Sequence, residues 1–195
     1  MKKSQKSTLK GSIVIILLLV VIVGYYYYLS NKEKEKEEQN PKITAVQEVL
    51  MRNLESNYPP TPREVVKYYS EITKCFYNEE CTDGELEQLA DKADQLFDTE
   101  LAEHNDWGGY MISLRSEIDD FKENQILIST YIISSSVDVE YFEDDGYEFA
   151  RLHCIYTLKQ GNAKQDIDEV FLLRKDENKH WKIYGWDNAS NVNPQ

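Results

Sequence analysis

After Asn124 the spacing of apolar residues changes from about 3.6 positions to 2, and this switch divides the chain into two kinds of structure. A helix brings every third or fourth side chain to one face, a strand every second. Before the switch, Val65, Tyr69, Ile72 and Phe76 form one helical stripe; Leu86, Leu89, Ala93, Leu96 and Phe97 form another. Met111, Leu114, Ile118 and Phe121 form a third, expected to follow Trp107-Gly108-Gly109. Thr61-Pro62-Arg63-Glu64 and Thr82-Asp83-Gly84-Glu85 have the capping-box form of helix starts. Upstream, Asn40 and Pro41 look like an N-cap and first helical residue. Ile43, Val46, Leu50 and Leu54 then fall at helical spacing before "YPPTP". Residues 43–60 read as a self-pairing stalk or as a first helix packed on its own domain, the second being favoured.

Beyond the switch, "ILISTYIISSSVDVEYF" reads as one long bulged strand. "YEFARLHCIYTLKQ", "QDIDEVFLLRK" and "HWKIYGWD" follow across the short turns "EDDG", "GNAK" and "DENK", which predicts a four-stranded antiparallel meander. Helices followed by strands argue an α+β domain over residues 61–188, three or four helices on one sheet face, with a frayed tail at 189–195. In the second strand Ala150, Leu152, Cys154, Tyr156 and Leu158 should face the helices, and Phe149, Arg151, His153, Ile155 and Thr157 the other side. Alternation in the last strand separates Trp181 and Ile183 from Tyr184 and Trp186. Large apolar residues on both faces leave the second to be covered by another molecule, by the residue 41–57 helix, or by nothing; the intramolecular cover is slightly favoured.

The N-terminal part answers to a different solvent. Ile13 to Val23 is an unbroken aliphatic run, extended by Gly24, four tyrosines and Leu29. As a helix, residues 13–29 rise about 25 Å, slightly short of a hydrocarbon core, with Tyr25–Tyr28 at headgroup level. Bulky tyrosines do not suit a signal-peptidase site, the first cysteine is Cys75, and Lys2 stands where myristoylation needs glycine. The run therefore reads as an uncleaved transmembrane helix between a tail (1–12) and a charged linker (30–42). Four lysines flank it on each side, but only the outer flank carries acids beside them. A cytoplasmic N-terminus and an extracytoplasmic domain follow.

The net charge is −13, and all 35 Asp and Glu lie beyond residue 30, which argues against nucleic acid as a partner. Cys75 and Cys81 either close a small disulfide loop in an oxidising compartment or stand as two unpaired thiols. Cys154 reads as a small core residue. No metal site is expected from three Cys and three His without ligand spacing, and no cofactor motif is present. Ser7-Thr8-Leu9-Lys10 matches S-x-x-K by chance, in the tail before the run. Glu143, Asp144 and Asp145 before Gly146 read as an acidic hairpin tip without EF-hand spacing.

On the order of elements, the long bent strand and the closing "HWKIYGWD", residues 61–187 resemble the nuclear transport factor 2-like superfamily. "YPPTPREVVKYYSEITKCFYNEEC" is similar to small membrane-anchored proteins of Gram-positive clostridial bacteria whose function is unassigned. The resemblance implies a curved sheet closed by helices into a cone that binds a small molecule, or a sheet face that assembles with partners. An enzyme on that plan needs an acid or His base and an oxyanion holder inside the cone. Tyr131, Asp138, His153, Tyr156 and Asp168 lie on predicted strands but form no recognised motif, and His104 in "EHND" reads as a cap or solvated group. The sequence thus favours a non-catalytic, membrane-anchored binding or assembly module at the cell envelope, with a protein partner or self-association. Its partner surface would be Phe149, Ile155, Tyr184 and Trp186, and its cone interior Tyr131, Tyr156 and Trp181. The alternative is a small-molecule binder or an isomerase- or dehydratase-like enzyme.

Overall fold

The computed structural model describes residues 43–104 and 106–191. Five helices precede five strands within them: α1 (Ala45–Leu50), α2 (Pro62–Asn78), α3 (Asp83–Asp94), α4 (Thr99–His104), α5 (Trp107–Glu123), then β1 (Ile126–Ile133), β2 (Glu140–Asp144), β3 (Tyr147–Gln160), β4 (Ala163–Lys175) and β5 (Trp181–Asn188). The α+β class is as expected. The tail, the run at 13–29, the linker and the Asn40-Pro41 start lie outside the described residues. Among the described residues no helix is long and apolar enough to cross a membrane.

Side chains set the helix starts. Thr82 and Glu85 close a reciprocal capping box on α3, while Thr61 accepts from the Glu64 amide ahead of Pro62 on α2. Asp106 accepts from the Gly109 amide at 3.0 Å, so α5 begins at Trp107 and runs through both glycines. For α1 the cap is Thr44, boxed with Gln47. That helix ends near Leu50, earlier than the stripe to Leu54 suggested. Its Val46 and Val49 are buried, and the Tyr68 hydroxyl of α2 donates to the Val49 carbonyl at 2.8 Å. So α1 extends the helix layer and does not cover the outer sheet face. The slight preference for that cover is overturned.

All strand pairings are antiparallel, in the order β1-β3-β4-β5, with β2 also on β3. The expected single first strand is two. β1 pairs with residues 154–160 of β3 and β2 with 147–151, and Ser134–Val139 between them forms a turn held by Ser135 donating to Asp138 at 2.8 Å. Ser134–Ser136 carry hydroxyls that favour such local bonds over a ladder. At the β2–β3 hairpin Asp145 and Gly146 both take positive φ, as a two-residue type I′ turn requires.

Ala150, Leu152, Cys154 and Tyr156 are buried on the helix side, with Phe171, Leu173 and Ile183 beside them and Val65, Val66 and Ile72 of α2 above. Two irregularities interrupt the ladder. One lies at Ile128/Thr130, where Asn78 at the end of α2 exchanges bonds of 2.8 and 2.9 Å with the Ile128 backbone and covers that edge. At the other, Leu172 pairs with Gly185 but Leu173 with Ile183, leaving Tyr184 as the extra residue. Such bulges bend a strand and reverse its alternation beyond them. The free edge of β5 is held by the segment after α3, through paired 2.8 Å bonds between Ile183 and Leu96 and Asp98.

Candidate functional site

The helix layer and the sheet do not close completely on one another. A cavity of about 370 Å³ separates α2 and α5 from the inner sheet face. One wall is the α2 face carrying Tyr69, Thr73, Phe76 and Tyr77, at spacings of 4, 3 and 1. Tyr110, Ser113, Leu114, Glu117 and Phe121 of α5 form the other by the same helical logic. The floor is alternate residues of the strands: Tyr156 and Leu158 of β3, Ile167 and Glu169 of β4, and Trp186 of β5. Tyr77 and Phe121 stack with centroids 4.2 Å apart, and Trp186 lies 5.4 Å from Tyr69 and 6.0 Å from Phe171.

Within this aromatic surround most polar groups are paired. Tyr77 donates to Glu117 at 2.8 Å, Thr73 to the Tyr69 carbonyl at 2.9 Å, and the Tyr156 hydroxyl shares a 2.7 Å bond with Ser70. Glu169 differs. Its position opposite Cys154 points it to the inner face, and its carboxyl has no hydrogen bond or ion pair among the described residues. Every fully buried side-chain oxygen or nitrogen among them has a partner, so the Glu169 oxygens open onto the cavity. Burial alone raises its pKa from 4.5 to about 7. Burial likewise pushes Tyr110 up to about 12 and Tyr69 well above its ordinary value, with the Glu169 charge adding to the rise at Tyr69. The Tyr69 and Tyr110 hydroxyls have no hydrogen-bond partner among the described residues either.

Of the interior residues expected from sequence, Tyr156 lines the cavity. Tyr131 instead faces a second recess of about 430 Å³, between α1 and α2. Trp181 is core at the far end of the sheet, opposite Lys175 and 5.7 Å from the Tyr141 ring. The expected partner surface is not one surface. Phe149 is buried on the outer face between Phe142 (5.5 Å) and Tyr184 (5.7 Å), and the Tyr184 hydroxyl donates to Glu100 at 2.9 Å. Ile155 stands apart on that face, opposite Asp168. Trp186 is on the inner face, because the bulge at Tyr184 reverses the alternation that put the two together.

The other candidates are placed elsewhere. His153 and Asp168 pair at 3.0 Å, half-exposed on the outer face, and Asp138 lies in the β1–β2 turn. Cys75 and Cys81 stand as two separate thiols in this structure. Cys75 is buried on α2, while Cys81 lies beyond the helix end with its thiol 3.8 Å from the Cys75 carbonyl. Among the described residues no three His, Cys, Asp or Glu side chains gather to hold a metal ion.

A family model matches residues 1–186 and is described as a domain of unknown function, DUF6715. The chain belongs to this family. No curated protein matches it. The DUF6715 match spans the aliphatic run and both sides of the cavity, so any role for the cavity has to be argued from its residues. Among these, Glu169 escaped the sequence reading, although the signal was there: it is a lone acid in the inward alternation Ile167, Phe171, Leu173.

Proposed function

We propose that the domain is a small-molecule-binding module, carried outside the cell by the aliphatic run as a single membrane-spanning anchor, with the cavity between α2, α5 and the sheet as its site. One observation carries this reading: an unpaired carboxyl opens onto a cavity walled by aromatic rings. An apolar pocket of this size with a few convergent polar groups is the usual form of a ligand site, and an unpaired carboxyl is costly to keep in a core for packing alone. The two sheet irregularities support a cone-like curvature of the kind the nuclear transport factor 2-like resemblance implies.

The test is ligand-observed NMR of a small-molecule mixture against the wild type and Ser113→Trp, whose indole would fill the cavity from α5. Compounds that bind the wild type and lose binding in the variant are the expected result. Equal binding to both, or none, refutes the site. The placement outside is read from Cys81, the half-exposed thiol, with a membrane-impermeant maleimide on intact cells. Labelling only after lysis refutes it. A partner at the envelope would meet the outer face, where Phe142 and Tyr147 stay exposed.

A second reading is favoured by the Glu169 pKa of about 7, where a general base works best near neutrality, with the Tyr69 hydroxyl nearby to hold an oxyanion. On that reading Glu169→Gln abolishes turnover of a bound ligand and leaves its binding intact.

A further inference from the structure

The charge and the walls of the cavity discriminate between ligand classes. Its polar groups are two carboxylates, Glu117 and Glu169, together with hydroxyls; no Lys, Arg or His is among the described residues that line it. An anionic ligand would therefore meet like charge and no counter-ion. A neutral ligand that displaced solvent would offer the Glu169 carboxylate no counter-charge, so the group would first have to take up a proton, a cost that a cation avoids. A cation would be attracted by the carboxylate and by the aromatic rings of Tyr69, Tyr110 and Trp186 that line the cavity as well. The whole chain, at −13, concentrates cations near its surface in the same sense.

We infer that the cavity takes an organic cation, a substituted ammonium group on a small apolar body, with the ammonium against Glu169 and the surrounding aromatic rings. A bare metal ion is the poorer fit, because a hard cation wants several oxygen ligands and the walls are mostly carbon. The volume of about 370 Å³ is at the small end for ligand sites, which roughly span 300–1,000 Å³, so the body is no larger than one or two rings. This inference rests on the cavity being the binding site, and the two are separable by experiment.

Isothermal titration of the full chain in non-ionic detergent would use four probes: benzyltrimethylammonium, choline, its uncharged carbon isostere 3,3-dimethylbutan-1-ol, and benzoate. The cations should bind, choline more tightly than its isostere, and benzoate not at all. Glu169→Gln should weaken the cations by about tenfold or more, as loss of a charge-assisted contact implies, and should leave the isostere bound as tightly or more tightly. Circular dichroism confirms that the variant stays folded. Trp186→Phe, with Trp107 and Trp181 kept, should abolish any fluorescence change on binding and so tie the event to this cavity. If the isostere or benzoate matches the cations, or if Glu169→Gln leaves cation affinity intact, the charge inference is wrong while the cavity reading survives. If no probe binds and Ser113→Trp also changes nothing in the NMR screen, both fall.

Discussion

Replacing Glu169 by glutamine removes a charge that the fold resists. The rise in its pKa from 4.5 to about 7 means that the folded state prefers the protonated carboxyl. Stability from this group is therefore complete below about pH 4.5 and is lost as pH climbs through about 7. At about 1.4 kcal/mol per tenfold change in proton affinity, the penalty above pH 8 has a ceiling of about 3.4 kcal/mol. Because the carboxyl opens onto the cavity, solvent screening lowers this to about 1–2 kcal/mol. Glutamine has nearly the shape of the protonated acid and no charge, so Glu169→Gln should be more stable at pH 8 by that amount. For a domain of this size that is a rise in Tm of about 3–8 °C. Thermal unfolding of both proteins by circular dichroism from pH 4.5 to 8 tests the argument, since the other acids cancel in the difference. The two curves should coincide near pH 4.5 and separate through pH 7. A difference independent of pH, or a variant less stable at pH 8, would show that Glu169 is solvated or paired in solution and would remove the basis of the site.

Other perturbations probe the frame around the cavity. Arg174→Met leaves Asp98, only 3% exposed, without the guanidinium that binds it at 2.9 Å, and should cost about 3–5 kcal/mol in urea titration; adding Asp98→Asn should recover much of the loss. Tyr156→Phe removes the bond to Ser70 but leaves Ser70 its 2.8 Å bond to the Val66 carbonyl, so the loss should be near 1 kcal/mol with an unchanged denaturant slope. Thr82→Ala should raise the Glu85 pKa towards its ordinary value in a proton-detected NMR titration, since bonds from the Thr82 backbone and side chain hold that carboxyl low. An unmoved Glu85 would mean that the capping box does not form in solution.

Much of the frame was legible along the chain because its causes are local. Thr61, Thr82 and Pro62 announce helix starts within a single turn, and the α2 stripe Val65, Ile72, Phe76 is the buried one. Alternation in β3 assigns Leu152, Cys154 and Tyr156 to the core side, and they are there. Where the reading failed, the cause lay between segments distant in sequence. The break at Ser134–Val139 lets both β1 and β2 pair with the same strand, and the capping role of Asn78 at Ile128 spans fifty positions. Thus the sequence by itself determined the class, helices before strands, the main helix starts and the inward face of β3, since period and capping are properties of a few neighbouring residues. Only the tertiary structure decided the site. The bulge at Tyr184, a mismatch of register between β4 and β5, turned Trp186 inward. The charge of Glu169 is perturbed only because α2 and α5, far away in the chain, exclude water above it.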